Sequence, residues 1–226
     1  MKEKKIFYSE AAYIVGLVLL ALGASFMGKA DFGFSMIVAP AYVIHAKVSE
    51  FLPFYSFGMS EYVLQALLLA VLSIVVKKVK ISYFLSVVTA VIYGVILDLF
   101  ISLVSFVALE GLFFQIVFYV LGVMCCTSGV AFLFNTYLPI EAYEMFVKEI
   151  SRSFGIPLGK VKTIYDCLSC LFAIVLSLVL FGTLVGIGFG TVLCAIINGP
   201  IISLISKHLN KKFVFKDALP LRRSLE

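Results

Sequence analysis

The chain has 226 residues, 62% of them hydrophobic and 14% charged, with a net charge of +5. Its mean hydropathy of +1.13 exceeds what a water-soluble domain of this size can hide in a core, so composition alone makes it an integral membrane protein. The basic surplus does not argue for nucleic acid, which needs a basic and aromatic patch on a soluble surface.

A bilayer core of about 30 Å needs about 20 apolar residues in a helix, and six segments meet that need. After a basic start at Met1 to Lys5, the first predicted span covers 11 to 28 and closes at Lys29 and Asp31. It resembles a signal peptide, but no small-residue cleavage site precedes a soluble domain, so it is read as a retained span. A short apolar helix is predicted over 36 to 50, beginning near Pro40 and carrying His45, Lys47 and Glu50. Spans over 60 to 76 and 82 to 109 follow, separated by the Lys77 to Lys80 cluster; Gln65 lies near the outer end of the former and Asp98 well inside the latter. Glu110-Gly111 turns the chain into a fourth span over 112 to 134, which ends at Asn135 and Thr136.

A second short helix, 139 to 154, starts at Pro139, a residue suited to a first helical turn because its missing N–H would be unpaired there anyway. Ile140, Tyr143, Phe146, Val147, Ile150 and Phe154 fall on one side and Glu141, Glu144, Lys148, Glu149 and Arg152 on the other. Both short helices admit two readings, an interfacial helix on the headgroups or a re-entrant half-helix lining a path. The fifth span, 163 to 182, has Asp166 near its cytoplasmic end, and the sixth, 184 to 206, contains Gly186, Gly188, Gly190, Thr191 and Asn198-Gly199-Pro200. The glycines permit either close packing or an unwound stretch whose carbonyls bind a ligand. A basic tail occupies 208 to 226, and its final Leu-Glu is set aside as a cloning remnant. Continuous apolar runs without alternation specify helices, not a barrel.

The two halves echo each other. Gly23 matches Gly122 and Pro40 matches Pro139 at one offset; Phe57-Gly58 matches Leu158-Gly159, Gln65 matches Asp166, and Ile101 to Val104 match Ile202 to Ile205 at an offset two residues longer. Lys and Arg stay on the cytoplasmic side. With the N-terminus inside, sixteen of the eighteen basic residues fall inside and only Lys29 and Lys47 outside. The expected architecture is therefore all-α: six transmembrane helices as two inverted three-helix repeats, 1 to 110 and 111 to 207, each with a short extra helix after its first span. Both termini are expected in the cytoplasm of a bacterial plasma membrane.

An ionised Asp at mid-bilayer costs about 2.5 to 3.5 kcal/mol, so Asp98 is expected to face the bundle interior, as a functional group or as a neutral acid hydrogen-bonded to Ser or Tyr. Asp166 and Gln65 are expected to flank a central cavity, although Asp166 could equally pair with Lys162 one turn earlier on a wet helix. Gly190, Thr191 and Asn198 complete the candidate substrate site, with Asn135 and Glu141 as weaker members. Cys125, Cys126, Cys167, Cys170 and Cys194 read as core residues, not a disulfide framework or metal pair. His45 and His208 are too few and too far apart for metal binding or nucleophilic catalysis. No enzyme activity and no cofactor are expected.

The elements Gly16 to Gly23, Lys29-Ala-Asp-Phe-Gly33, Pro139-Ile-Glu141, Gly159 to Lys162 with Asp166, Leu176-Ser-Leu with Phe181-Gly182, and Gly190-Thr191 with Asn198-Gly199 resemble the YczE/YyaS/YitT-like bacterial membrane proteins. The likeness covers 11 to 206, with Phe34-Ser-Met standing where many such relatives carry Pro-Trp. It implies a multi-spanning transporter. Residues and resemblance together predict a small secondary transporter that moves a small polar or cationic solute by alternating access, with Asp98 as the group for proton coupling. A passive channel, or a membrane partner or substrate-capture subunit docking through its small-residue faces, is the alternative. A homodimer or a second membrane subunit is compatible with the chain.

Overall fold

A computed structural model describes residues 4–108 and 110–220. Lys2, Arg222 and Arg223 of the basic sorting lie outside the described residues. Among the described residues, six helices are long and apolar enough to cross a membrane: α1 (Ser9–Ala30), α3 (Phe57–Val76), α4 (Ile81–Ser105), α5 (Leu112–Phe134), α7 (Leu158–Phe181) and α8 (Phe189–Lys212). Two short helices, α2 (Ala39–Val48) and α6 (Ala142–Phe154), stand between the first and second long helix of each half. The order long, short, long, long thus occurs twice.

Helix ends follow local chemistry. Ser56 caps α3 by accepting the Met59 N–H at 3.2 Å. Gly155 and Gly182 end α6 and α7 with φ of 66° and 71°, where the left-handed conformation suits glycine. Two boundaries differ from expectation. The fifth span starts five residues earlier, at Leu158 and not 163, because Pro157 opens the helix; Lys160 and Lys162 therefore sit inside it. The sixth starts at Phe189 and not 184, so Gly186 and Gly188 belong to the connector and not to the span. The all-α expectation is also corrected: β1 (Lys5–Tyr8) pairs in parallel with β2 (Phe213–Lys216). Phe7 packs between Phe132, Phe213 and Phe215, and Glu10 accepts the backbone N–H groups of Ala218 and Leu219. This clasp joins the two ends of the chain.

Helices α1 and α5 run antiparallel at the centre, and glycine sets their approach. A Cβ on Gly23 would stand 2.6 Å from the Gly122 carbonyl oxygen, and one on Gly129 would stand 2.7 Å from that of Gly16. Packing is driven by such close backbone contact where lipid offers no hydrophobic contrast. Gly23 therefore meets the residue that matches it in the second half. Other contacts are reciprocal as well: α2 packs on α3 and α7, while α6 packs on α7 and α3; α1 packs on α4 as α5 packs on α8. One pair breaks the correspondence. Helices α7 and α8 close together through Gly159 against Gly199 and Ser203 and Cys167 against the Ala195 carbonyl, whereas α3 and α4 scarcely touch. Accordingly α4 has the smallest buried share of the six spans.

Candidate functional site

The first half of α6 is wholly inside the protein. Residues Glu141 to Met145 are all buried, and Ile140, Ala142 and Met145 join Leu17, Leu69, Leu72, Tyr83 and Leu133 in one apolar cluster. Upstream, Thr89 donates to the Pro139 carbonyl at 2.7 Å and stands 2.8 Å from the Tyr13 hydroxyl, which ties the entry of α6 to α4 and α1. Lying on the headgroups, this helix would turn its charged side to water; instead α3 and α7 pack on it, Glu144 is buried along with the apolar side, and Glu149 is buried against Lys80 and Tyr83.

That inversion assembles an acidic group. Lys162, only 1% exposed, places its Nζ 2.7 Å from Glu144 Oε1 and 3.0 Å from Asp166 Oδ1; Glu144 is 2% and Asp166 0% exposed. The Lys162–Asp166 pair is close enough for ion pairing but misaligned for a hydrogen bond, and both Asp166 oxygens lack a hydrogen-bond partner. From α3, Glu61 Oε2 accepts the Tyr143 hydroxyl at 2.8 Å and the Gln65 amide at 3.4 Å. Glu141 lies within electrostatic reach of Glu144, Glu61 and Lys162. Two carboxylates thus hold the ammonium directly, Glu141 is within its reach, and Glu61 adjoins the group through Glu141 and Tyr143.

Burial pushes the Glu141 carboxyl well above the usual carboxylate range; Glu144 and Glu61 push the same way, and Lys162 opposes them. Burial, with the charge of Glu61 beside it, likewise raises the Tyr143 phenol. Buried polar atoms are nearly always paired, yet Glu61 Oε1, Gln65 Oε1, Glu141 Oε1 and Glu144 Oε2 are without a hydrogen-bond partner. Gln65, itself buried, joins the group through its bond to Glu61. Such an arrangement can hold protons, or can accept several hydrogen bonds from one small cation.

Of the residues expected in the site, Gln65, Asp166 and Glu141 are brought together. Asn198 lies on α8 next to Gly199, which packs on α7 at Gly159 and Thr163; its Oδ1 is buried without a partner, and Cys194, one turn earlier, is within electrostatic reach of Asp166. Asp98 is not in the group. It lies exposed on α4, because the inward row of that helix runs through Ser82, Ser86, Thr89 and Ala90, and Asp98 is turned well away from it at about 100° per residue. Asn135 spends its amide on the Ala131 carbonyl at 2.8 Å, ending α5.

Gly190 and Thr191 sit elsewhere, at a joint between the start of α8 and residues 32 to 34. Gly190 N–H donates to the Phe32 carbonyl at 3.0 Å, Phe34 N–H to the Gly186 carbonyl at 2.9 Å, and the Thr191 hydroxyl to the Phe34 carbonyl at 2.6 Å. Gly33, with φ of 99°, approaches Gly188 so closely that any side chain would overlap it. Their polar groups are spent on the fold.

Sequence reasoning missed Glu61, Tyr143 and Glu144; it offered Lys162 as a partner of Asp166 on a wet helix, and the pair is present but buried. A signal existed: Glu61 precedes Gln65 by one turn, as Lys162 precedes Asp166. Among the described residues, no three His, Cys, Asp or Glu side chains are arranged to hold a metal ion. The cysteines are free thiols, with Cys170 and Cys194 buried. In comparisons with known proteins, a family described only as one of unknown function matches residues 7–207. No curated protein matches, and no solved structure matches.

Proposed function

The chain belongs to that family of unknown function, DUF6198, and on this premise we propose that it is a small secondary transporter whose solute, a small cation rich in N–H donors, occupies the buried acidic group. One observation carries the reading. Glu144 and Asp166 hold a buried lysine, Glu141 stands within electrostatic reach of that cluster and of the neighbouring Glu61–Gln65 pair, and acceptor oxygens are left unpaired. Ionisable residues at membrane depth are costly and mark substrate or proton paths. Glu141, held protonated by its surroundings, supplies the proton; arrival of a cation would favour releasing it, so solute and proton exchange at one place.

The two halves are read as inverted repeats, an arrangement that supports alternating access around a site at their interface. The antiparallel α1 and α5, and the contact of Gly23 with its counterpart Gly122, support this. So does the one unequal pair. In the present state α7 and α8 are closed while α3 and α4 are parted; exchanging the two conformations between halves gives the opposite state, in which α4 closes on α3 and α8 parts from α7. The basic sorting puts both termini in the cytoplasm.

Proteoliposome flux tests the reading. Purified protein loaded with a candidate amine should accumulate it against its gradient when a pH difference is imposed, and Asp166→Asn should abolish this. Flux that only equilibrates, however steep the pH difference, would assign a channel instead.

A further inference from the structure

The acidic group has two sides, because α6 packs on both α3 and α7. On the α7 side the protein supplies its own ammonium: Lys162 stands 2.7 Å from Glu144 of α6 and 3.0 Å from Asp166, one turn along its own helix. At the offset that matches Gly58 to Gly159, the first half carries Glu61 where the second has Lys162, and Gln65 where the second has Asp166. An acceptor thus stands in the place of the other half's cation.

Glu61 and Gln65 orient each other. Glu61 Oε2 accepts both the Tyr143 hydroxyl, at 2.8 Å, and the Gln65 amide, at 3.4 Å. With both donors on one oxygen, Glu61 Oε1 is left without a hydrogen-bond partner, and so is Gln65 Oε1 on the other end of that amide. Gln65 is only 7% exposed. A buried carboxylate can take up a proton in place of a missing partner, but a neutral amide cannot, so its unmet carbonyl keeps the full desolvation cost. A third orphan, Glu141 Oε1, belongs to the residue that opens α6, which is 8% exposed and within electrostatic reach of Glu61. Tyr93 of α4 is within reach of Glu61 and Glu141, and Tyr165 of α7 within reach of Glu61.

We propose that these three oxygens, on Glu61, Gln65 and Glu141, seat the transported cation and select a primary alkylammonium. Such a head has three N–H donors and no acceptor, one donor for each open oxygen. Every N-methyl group put in place of an N–H leaves one buried acceptor unmet. Gln65 sets the specificity, since it adds an acceptor without adding charge and holds Glu61 in position. The inference rests on the cation site proposed above and puts the solute on the α3 side of α6, beside Lys162 and not in its stead.

The probes are butylammonium and its N-methyl, N,N-dimethyl and N,N,N-trimethyl derivatives, titrated calorimetrically into the full chain in detergent. Affinity for the native protein should fall about tenfold with each N–H replaced, as hydrogen bonds to charged groups are lost. Gln65→Leu, which removes one acceptor and no charge, should bind butylammonium and its N-methyl derivative alike; Gln65→Glu, which keeps an acceptor, should tell them apart again. Equal affinities across the native series, or an undiminished first step in Gln65→Leu, would overturn this inference while leaving the cation site standing. Failure of all four probes to bind the native chain would overturn the cation site and this inference together. Should Gln65→Leu fail to fold, the slope of the native series still decides.

Discussion

Replacing Lys162 by Met removes, among the described residues, the cation paired with the acidic group while keeping its volume, and its consequence can be worked from the structure. The ammonium is 2.7 Å from Glu144 and 3.0 Å from Asp166, all three groups being at most 2% exposed. Breaking a buried pair by deleting one partner costs about 3 to 5 kcal/mol, because a charge is left without compensation. For a chain of this length that corresponds to a fall of roughly 6 to 20 °C in melting temperature. The loss should be largest at high pH and shrink as the solution is acidified, since a protonated carboxyl needs no counter-charge. Adding Glu144→Gln and Asp166→Asn to Lys162→Met should restore most of the stability. The assay is thermal unfolding in detergent between pH 5 and 9. Were Lys162→Met as stable as the native protein at pH 8, or its deficit constant across pH, the claim that Lys162 neutralises a buried acidic group would be wrong.

Other outcomes follow from the same geometry. Glu141 has its carboxyl raised by burial, so its protonated form stabilises the fold fully below the unfolded value and that contribution is lost as pH rises through the folded one; Glu141→Gln should flatten the alkaline decline of melting temperature, and a steeper decline would contradict this. At the α1–α5 crossing, a Cβ at Gly23 meets backbone atoms 2.5 and 2.6 Å away, so Gly23→Ala should cost about 1 to 3 kcal/mol, read as lowered melting temperature and yield. Gly94 has open space around a Cβ, and Gly94→Ala in mid-helix should be neutral or add up to about 1 kcal/mol. Asp98→Asn should leave solute-induced stabilisation unchanged, which a binding assay on that variant checks.

Much of the scaffold is legible from hydropathy, because length and apolarity are the bilayer's own requirements. All six spans and both short helices appear where apolar runs and prolines place them, and the errors fall at ends. These errors matter for the site. Lys162 reads as a wet-helix partner for Asp166 in a basic cytoplasmic segment, yet Pro157 starts α7 early and the pair is buried inside. Glu144 reads only as part of the charged side of a short helix, because one-dimensional periodicity tells which residues share a side of α6 and not that α3 and α7 pack on the helix. Asp98 fails for the opposite reason: burial of a polar residue was inferred from its cost, whereas its angular position on α4 sets it away from the inward row. Gln65, Asp166 and Glu141, which the structure brings together, stand out in the sequence because each is polar in an apolar stretch or follows a proline at a helix start.

The most direct test of the central claim is thermal stabilisation of the purified protein by a panel of primary amines, guanidinium compounds and quaternary ammonium ions, set beside matched carboxylates and sugars. A cation with N–H donors should raise the melting temperature, by about 2.7 kcal/mol of stability at a hundred times its Kd. The effect should vanish in Glu61→Gln and Asp166→Asn and survive in Asp98→Asn. Stabilisation by carboxylates in place of cations, or cation stabilisation untouched by Glu61→Gln and Asp166→Asn, would contradict the assignment of the buried acidic group as the solute site.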